Sequence, residues 1–452
     1  MRGLHRHVSA CAAVLGILAG AVLTRSTRAS AQAAPAAPQS SVQEIAYVGP
    51  GSCSAVACHG AIRPAPGARI LQNEYNTWVA LDRHARATEV LSNSVSQRMA
   101  RILAIGNPAQ APACLACHSI DVPAAKRGRT FASEGVSCEA CHGPASAWLG
   151  YHVTRNATHE ESVTRGMYDT RDVVKRTEKC LTCHLGTAGQ SVDHEMIAAG
   201  HPDLVFELES FSAAMPRHWT QRGDAEPYAP VRTFAAGQLV HLRASLDRLA
   251  RRVKGPVWPE YSELDCFACH HSLTRPEDSW RQARGYENRA RPGLPPLQVS
   301  RYVTARRVLQ TYDTEAASEL DAVMTKLQIE ASGLKVPGDD VASLVSRART
   351  IVDRGLGKAL ASPASSDIAS AMLKGIFADA STVAERGERA AEQAAMAAET
   401  LSAALARAHG QDPAVMKPTF DELFQQFESP SAYDPRKFIA AMKKAESALP
   451  IH

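Results

Sequence analysis

The sequence predicts a mainly α-helical chain in two parts: a cofactor-wrapping domain with little regular structure, then an Ala-rich helical bundle. Three observations carry this expectation. A pair of cysteines followed at once by a histidine recurs five times between residues 53 and 270. The same stretch is punctuated by Pro108, Pro112, Gly143-Pro144 and Gly200-His201-Pro202, which keeps helices short. From Ser300 onward, apolar residues return at helical spacing in an Ala-rich background that contains no cysteine.

In chain order, residues 1–31 read as a secretory signal peptide, with Arg2 and Arg6, an apolar run from Val8 to Leu23, and small residues ending Ala29-Ser30-Ala31. The run falls short of the roughly 20 apolar residues that span a bilayer, so export with cleavage, and no membrane anchor afterwards, is expected. Val8-Ser9-Ala10-Cys11 imitates a lipoprotein box only loosely, because the apolar stretch follows it. Residues 32–44 form an Ala/Pro/Ser-rich leader.

Residues 45–274 make up the motif-bearing domain, with helices expected at Leu71–Leu91, Ser94–Ile105 and Thr233–Val253. A polar linker is expected at 275–299. The bundle, 300–452, should hold helices at Ser300–Thr311, Glu315–Ala331, Asp339–Arg354, Asp367–Ala378, Ser381–His409 and Pro435–Ala448. The Ala-rich face around Ala390, Ala394 and Ala397 has high helix propensity and allows close helix packing. As a separate unit without haem ligands, the bundle would cap the first domain or dock a partner.

The motifs are Cys53-Ser-Ala-Val-Ala-Cys58-His59, Cys114-Leu-Ala-Cys117-His118, Cys138-Glu-Ala-Cys141-His142, Cys180-Leu-Thr-Cys183-His184 and Cys266-Phe-Ala-Cys269-His270. Two thiols at that spacing form thioethers to one porphyrin, and the adjacent imidazole becomes the proximal iron ligand of a c-type haem. Zinc and iron–sulfur sites also use Cys-x-x-Cys, but they combine pairs into tetrads and do not ask for His after the second Cys. Five motifs use ten of the eleven cysteines, and the eleventh, Cys11, lies in the signal. Five covalent haems are therefore expected, with the first motif carrying a longer, four-residue spacer. Exported thiols would otherwise oxidise, and here each has a haem to bond, so the expected location is periplasmic.

A low-spin haem needs a second axial ligand, and the domain offers His84, His152, His159, His194, His201, His218, His241 and His271. His241, on an expected helix, reads as a neutral surface residue. His194, His201, His218 and His271 form the pool for the second, fourth and fifth haems, with His271 notable for adjoining His270.

Tyr47-Val-Gly-Pro-Gly-Ser-Cys53, then Trp78 and His84-Ala85-Arg86-Ala87, resembles the opening of the tetrahaem cytochrome c-554 family, electron acceptors of hydroxylamine oxidoreductase. The third motif, Gly135 to Pro144 with His152 ten residues after His142, is similar to that family as well. The resemblance covers residues 45 to 190. It implies that His152 is the distal ligand opposite His59 and His84 the distal ligand opposite His142. It also implies that the second haem, on His118, is five-coordinate. The long spacer, the fifth motif and the C-terminal helices depart from the family.

The chain is formally +4, and the signal arginines Arg2, Arg6, Arg25 and Arg28 account for that excess, so nothing favours nucleic acid as a partner. Electron transfer between redox partner proteins is the favoured function, with no catalytic residue assigned. An enzyme acting on a small nitrogen or sulfur compound at an open haem is the alternative, and it lacks the Cys-x-x-Cys-Lys motif of the pentahaem nitrite reductases. A haem-based redox or gas sensor is the third class.

Overall fold

The computed structural model describes residues 45–449 except 66, 68–69, 130, 132–133, 220–225, 271–294, 333–338 and 429–432. The signal, the leader, His271 and most of the linker lie outside these residues. Residues 44–452 form one compact unit. Helices dominate, and among the described residues β-structure amounts to two isolated bridges, Tyr47 with Arg127 and Leu264 with Leu297.

The motif-bearing half is built of short helices: α1 (Glu74–Leu81), α2 (Ser94–Ile102), α3 (Pro112–His118), α4 (Cys138–His142), α5 (Leu149–His152), α6 (His159–Thr164), α7 (Val173–His184), α8 (His194–Ala199) and α9 (Leu208–Ala214). The helix expected over Leu71–Leu91 stops at Leu81, because Asp82 adopts an extended conformation and caps a 3-10 turn through His84 N. Three motifs end α3, α4 and α7, which puts each histidine in the last turn.

The rest comprises α10 (Ala229–Val253), α11 (Ser300–Tyr312), α12 (Thr314–Ala331), α13 (Asp339–Ala361), α14 (Ser366–Ala378), α15 (Ala380–Ala384), α16 (Glu388–Ala408), α17 (Lys417–Phe424) and α18 (Pro435–Ala448). The expected helix Ser381–His409 is two helices, broken where Gly387 takes φ 91°. A bulkier residue at Gly387 would also meet Asp265 Oδ1 at 2.8 Å.

Packing does not divide at residues 275–299. Along α10, Ala235, Leu239, Leu242, Leu246, Leu249 and Val253 recur every three or four residues and are buried. That stripe lies against α11, α13 and α16 on one side and against α7, which carries the fourth motif, on the other. One continuous apolar core therefore runs from Leu181 and Phe206 through α10 to Phe438 and Ala445. The bundle expected as a separate cap shares its central helix with the haem-motif region. Small residues bring its helices together, and a Cβ on Gly355 of α13 would stand 2.0 Å from Leu309 Cδ2 of α11.

Candidate haem-ligating centre

The structure brings histidines together in facing pairs. His59 and His152 stack with ring centroids 6.3 Å apart and planes 5° from parallel. His84 and His184 lie 6.1 Å apart at 87°, His118 and His201 6.3 Å apart at 84°, and His194 and His270 6.3 Å apart at 33°. With metal–imidazole bonds of about 2 Å, an iron held between two near nitrogens separates ring centres by about 6 Å. Four of the five motif histidines thus face a second ring at the distance two iron–nitrogen bonds require.

The outer nitrogens agree. Nδ1 donates to Glu74 Oε2 at 2.9 Å in His59, to Asp82 Oδ1 at 2.9 Å in His84, and to Ala87 O at 2.9 Å in His118. In His152, His201 and His218 it donates to the carbonyls of Leu149 at 2.5 Å, Pro202 at 2.7 Å and Pro216 at 3.3 Å. An acceptor on Nδ1 fixes the tautomer and leaves Nε2 for the metal. His159 is the contrast, since its Nε2 is bonded to Asp169 at 2.8 Å.

Desolvation lowers His142 and His184 to about 4, helped by the positive fields of His218 on the first and His84 on the second. The neutral ring is the form that ligates a metal. Phe206 stacks on His184 at 4.9 Å and Phe211 meets it edge-on at 5.4 Å.

Three expectations change. His84, which the resemblance puts opposite His142, instead faces His184, because the Asp82 turn and the Val136 N to His84 O bond at 2.9 Å direct it there. His142 is reached by the positive field of His218. His241, read as a surface residue, is 2% exposed with its Nε2 unpartnered, since the α10 face it occupies is covered by Phe206. His118, left open by the resemblance but offered a partner by the histidine pool, faces His201.

The attachment cysteines adjoin one another across motifs. Cys53 lies close to Cys138 and Cys117 close to Cys183, and Cys141 lies within the field of Cys180. Glu139, inside the third motif and 2% exposed, holds the approach to the first by accepting from Val48 N, Gly49 N and Ala145 N at 2.7–3.0 Å. Gln190 Nε2 donates to Ala116 O and lies 3.8 Å from Cys183 Sγ, joining the second motif to the fourth. The sequence reading missed Glu74, Asp82, Glu139 and Gln190; only Asp82, two residues before His84, carried a local signal.

These residues fit haem. Among the described residues, exposed large apolar side chains of the bundle are limited to Ile329, Leu360 and Val415. The others, including Val56 at 72% and Ile62 at 89%, lie in the motif-bearing half, where a bound porphyrin would supply apolar surface. No group of three or more His, Cys, Asp or Glu among the described residues is placed to hold a bare metal ion.

No curated protein and no solved structure matches the chain. Its residues 53–143, from the first attachment cysteine to the glycine after His142, match the family described as cytochrome c554 and c-prime, and that segment is similar to a haem-containing electron-transfer cytochrome.

Proposed function

We propose that this is a periplasmic pentahaem cytochrome that passes electrons between redox partner proteins without catalysing a reaction of its own. The five cysteine pairs would hold the haems, and the axial pairs would be His59 with His152, His118 with His201, His142 with His218, His184 with His84, and His270 with His194. Bound there, the iron supplies one-electron chemistry at a potential set by its ligands, their hydrogen bonds and burial.

The observation that carries this reading is the set of four imidazole pairs at 6.1–6.3 Å. An iron closed on both faces has no position for a substrate, which separates a carrier from a reductase. The adjoining cysteines support a connected relay, in which motifs one and three, three and four, and four and two meet, and α8 joins the histidines that face motifs two and five. Periplasmic location rests on the N-terminal export pattern.

The reading is tested by intact mass of the protein from a periplasmic fraction, with a potentiometric titration. Five haems on a chain beginning near Gln32 or Ala34, all titrating as low-spin centres, is the expected result. Four haems, or a haem that binds nitrite or hydroxylamine, would refute it.

A further inference from the structure

Two arginines of the bundle grip the segment that carries two of the distal histidines. His194 opens α8 and His201 follows its left-handed cap, Gly200, so both belong to residues 192–207. From α11, Arg301 donates to Leu204 O at 2.8 Å and Phe206 O at 3.3 Å. From α16, Arg389 Nε pairs with Asp203 Oδ2 at 2.6 Å, two residues beyond His201, and its Nη1 reaches Ser262 O at 3.5 Å. The Arg389 side chain is only 12% exposed. At the other end of the segment, Arg252 donates to Val192 O at 2.9 Å, and Glu260 Oε1 accepts from both His194 N and Ser262 N at 3.0 Å.

We propose that Arg389 is a positioning residue for haem ligation: it fastens the loop after His201 to the chain entering the fifth motif, and so holds His201 over His118 and His194 over His270. The inference rests on the ligand pairs proposed above and adds the role of α16 to them. A histidine just beyond the cap of a six-residue helix, followed by an irregular loop, holds an iron only if that loop is immobilised, because each ordered residue costs conformational entropy. A guanidinium does this well, since its rigid fork serves two acceptors at once. Removing it leaves the half-buried Asp203 carboxylate and the Ser262 carbonyl short of a donor, and the loop relaxes outward to rehydrate them. The Ala-rich bundle thereby presents distal ligands, a task its lack of haem ligands hides.

The test uses the holoprotein and two readouts, low-temperature electron paramagnetic resonance of the ferric form and carbon monoxide binding to the ferrous form, with His201→Ala as the reference for one opened haem. Arg389→Ala should raise the high-spin, carbon-monoxide-reactive fraction about tenfold over the unmodified protein, the scale of one hydrogen bond to a charged group. Arg389→Lys, which keeps the charge but not the fork, should restore part of the closed population. Arg306→Ala, which breaks the comparable Arg306–Asp321 pair at 2.8 Å between α11 and α12, should leave it unchanged. If Arg389→Ala does not accumulate with its haems, Arg389→Gln carries the same expectation. Unmodified spin populations in the Arg389 variants, beside an opened haem in His201→Ala, would overturn the positioning role alone. A fully closed His201→Ala would overturn the ligand pairing beneath it.

Discussion

The rings of His84 and His184 stand 6.1 Å apart and nearly perpendicular, the first fixed through Nδ1 by Asp82 and the second packed between Phe206 and Phe211. This ties the end of α1 to the end of α7 across the helices between. His84→Ala should therefore open the haem of the fourth motif, adding one high-spin haem to the ferric spectrum. In a Cys180→Ala/Cys183→Ala background the same substitution should add none, because the iron it served is gone. A high-spin haem appearing in that background would assign His84 to another iron.

The carboxylate of Glu74 bonded to His59 Nδ1 raises the basicity of that imidazole and favours the ferric state. Glu74→Gln keeps the side-chain shape and removes the charge. The potential of one haem should rise by tens of millivolts, on the scale of the ~59 mV that a tenfold change represents for one electron. Spectroelectrochemical titration reads it, the other haems serving as internal references; an unchanged set of potentials would count against the first axial pair.

Gly135 takes φ 52°, and a Cβ there would stand 2.4 Å from Ala85 O and 2.6 Å from His84 O. Both neighbours are backbone, so they cannot swing aside. Gly135→Ala should cost more than about 1 kcal/mol of stability and displace the His84 turn, giving a lower melting temperature together with partial high-spin character. Loss of stability with a fully low-spin spectrum would show that the strain is absorbed elsewhere.

Because α10 shares one core with α7 and with α11, α13 and α16, a cavity in the bundle should weaken haem ligation too. Leu309→Ala, at a fully buried position, should cost about 2–5 kcal/mol. Its unfolding should remain a single transition, in which helical circular dichroism and the low-spin haem absorbance are lost together at a lower temperature. Haem absorbance melting at the unmodified temperature would instead separate the two regions.

Much of this was legible because it is local. The five motifs are spelled contiguously, and α11, α12, α14 and α18 follow their apolar spacing to within a residue or two. That His152 stands opposite His59 came from the family resemblance and not from spacing, since the two lie far apart in the sequence; their rings face each other at 6.3 Å. The choice between His142 and His184 for His84 was not legible, since it depends on where the Asp82 turn aims a ring toward a helix a hundred residues on. Nor was the burial of His241, because Phe206, whose ring stands 6.0 Å from it, comes from a distant segment. The linker near residue 275 looked like a boundary by composition. Packing overrode it, since the α10 stripe is apolar enough to be claimed from both sides.

The central claim is that every iron this chain holds is closed by two imidazoles. Low-temperature electron paramagnetic resonance of the fully oxidised holoprotein, integrated against its haem content, tests it most directly. The account predicts low-spin ferric signals summing to all of the haem. A high-spin signal integrating to one haem per chain would contradict it and turn the reading toward a catalytic centre.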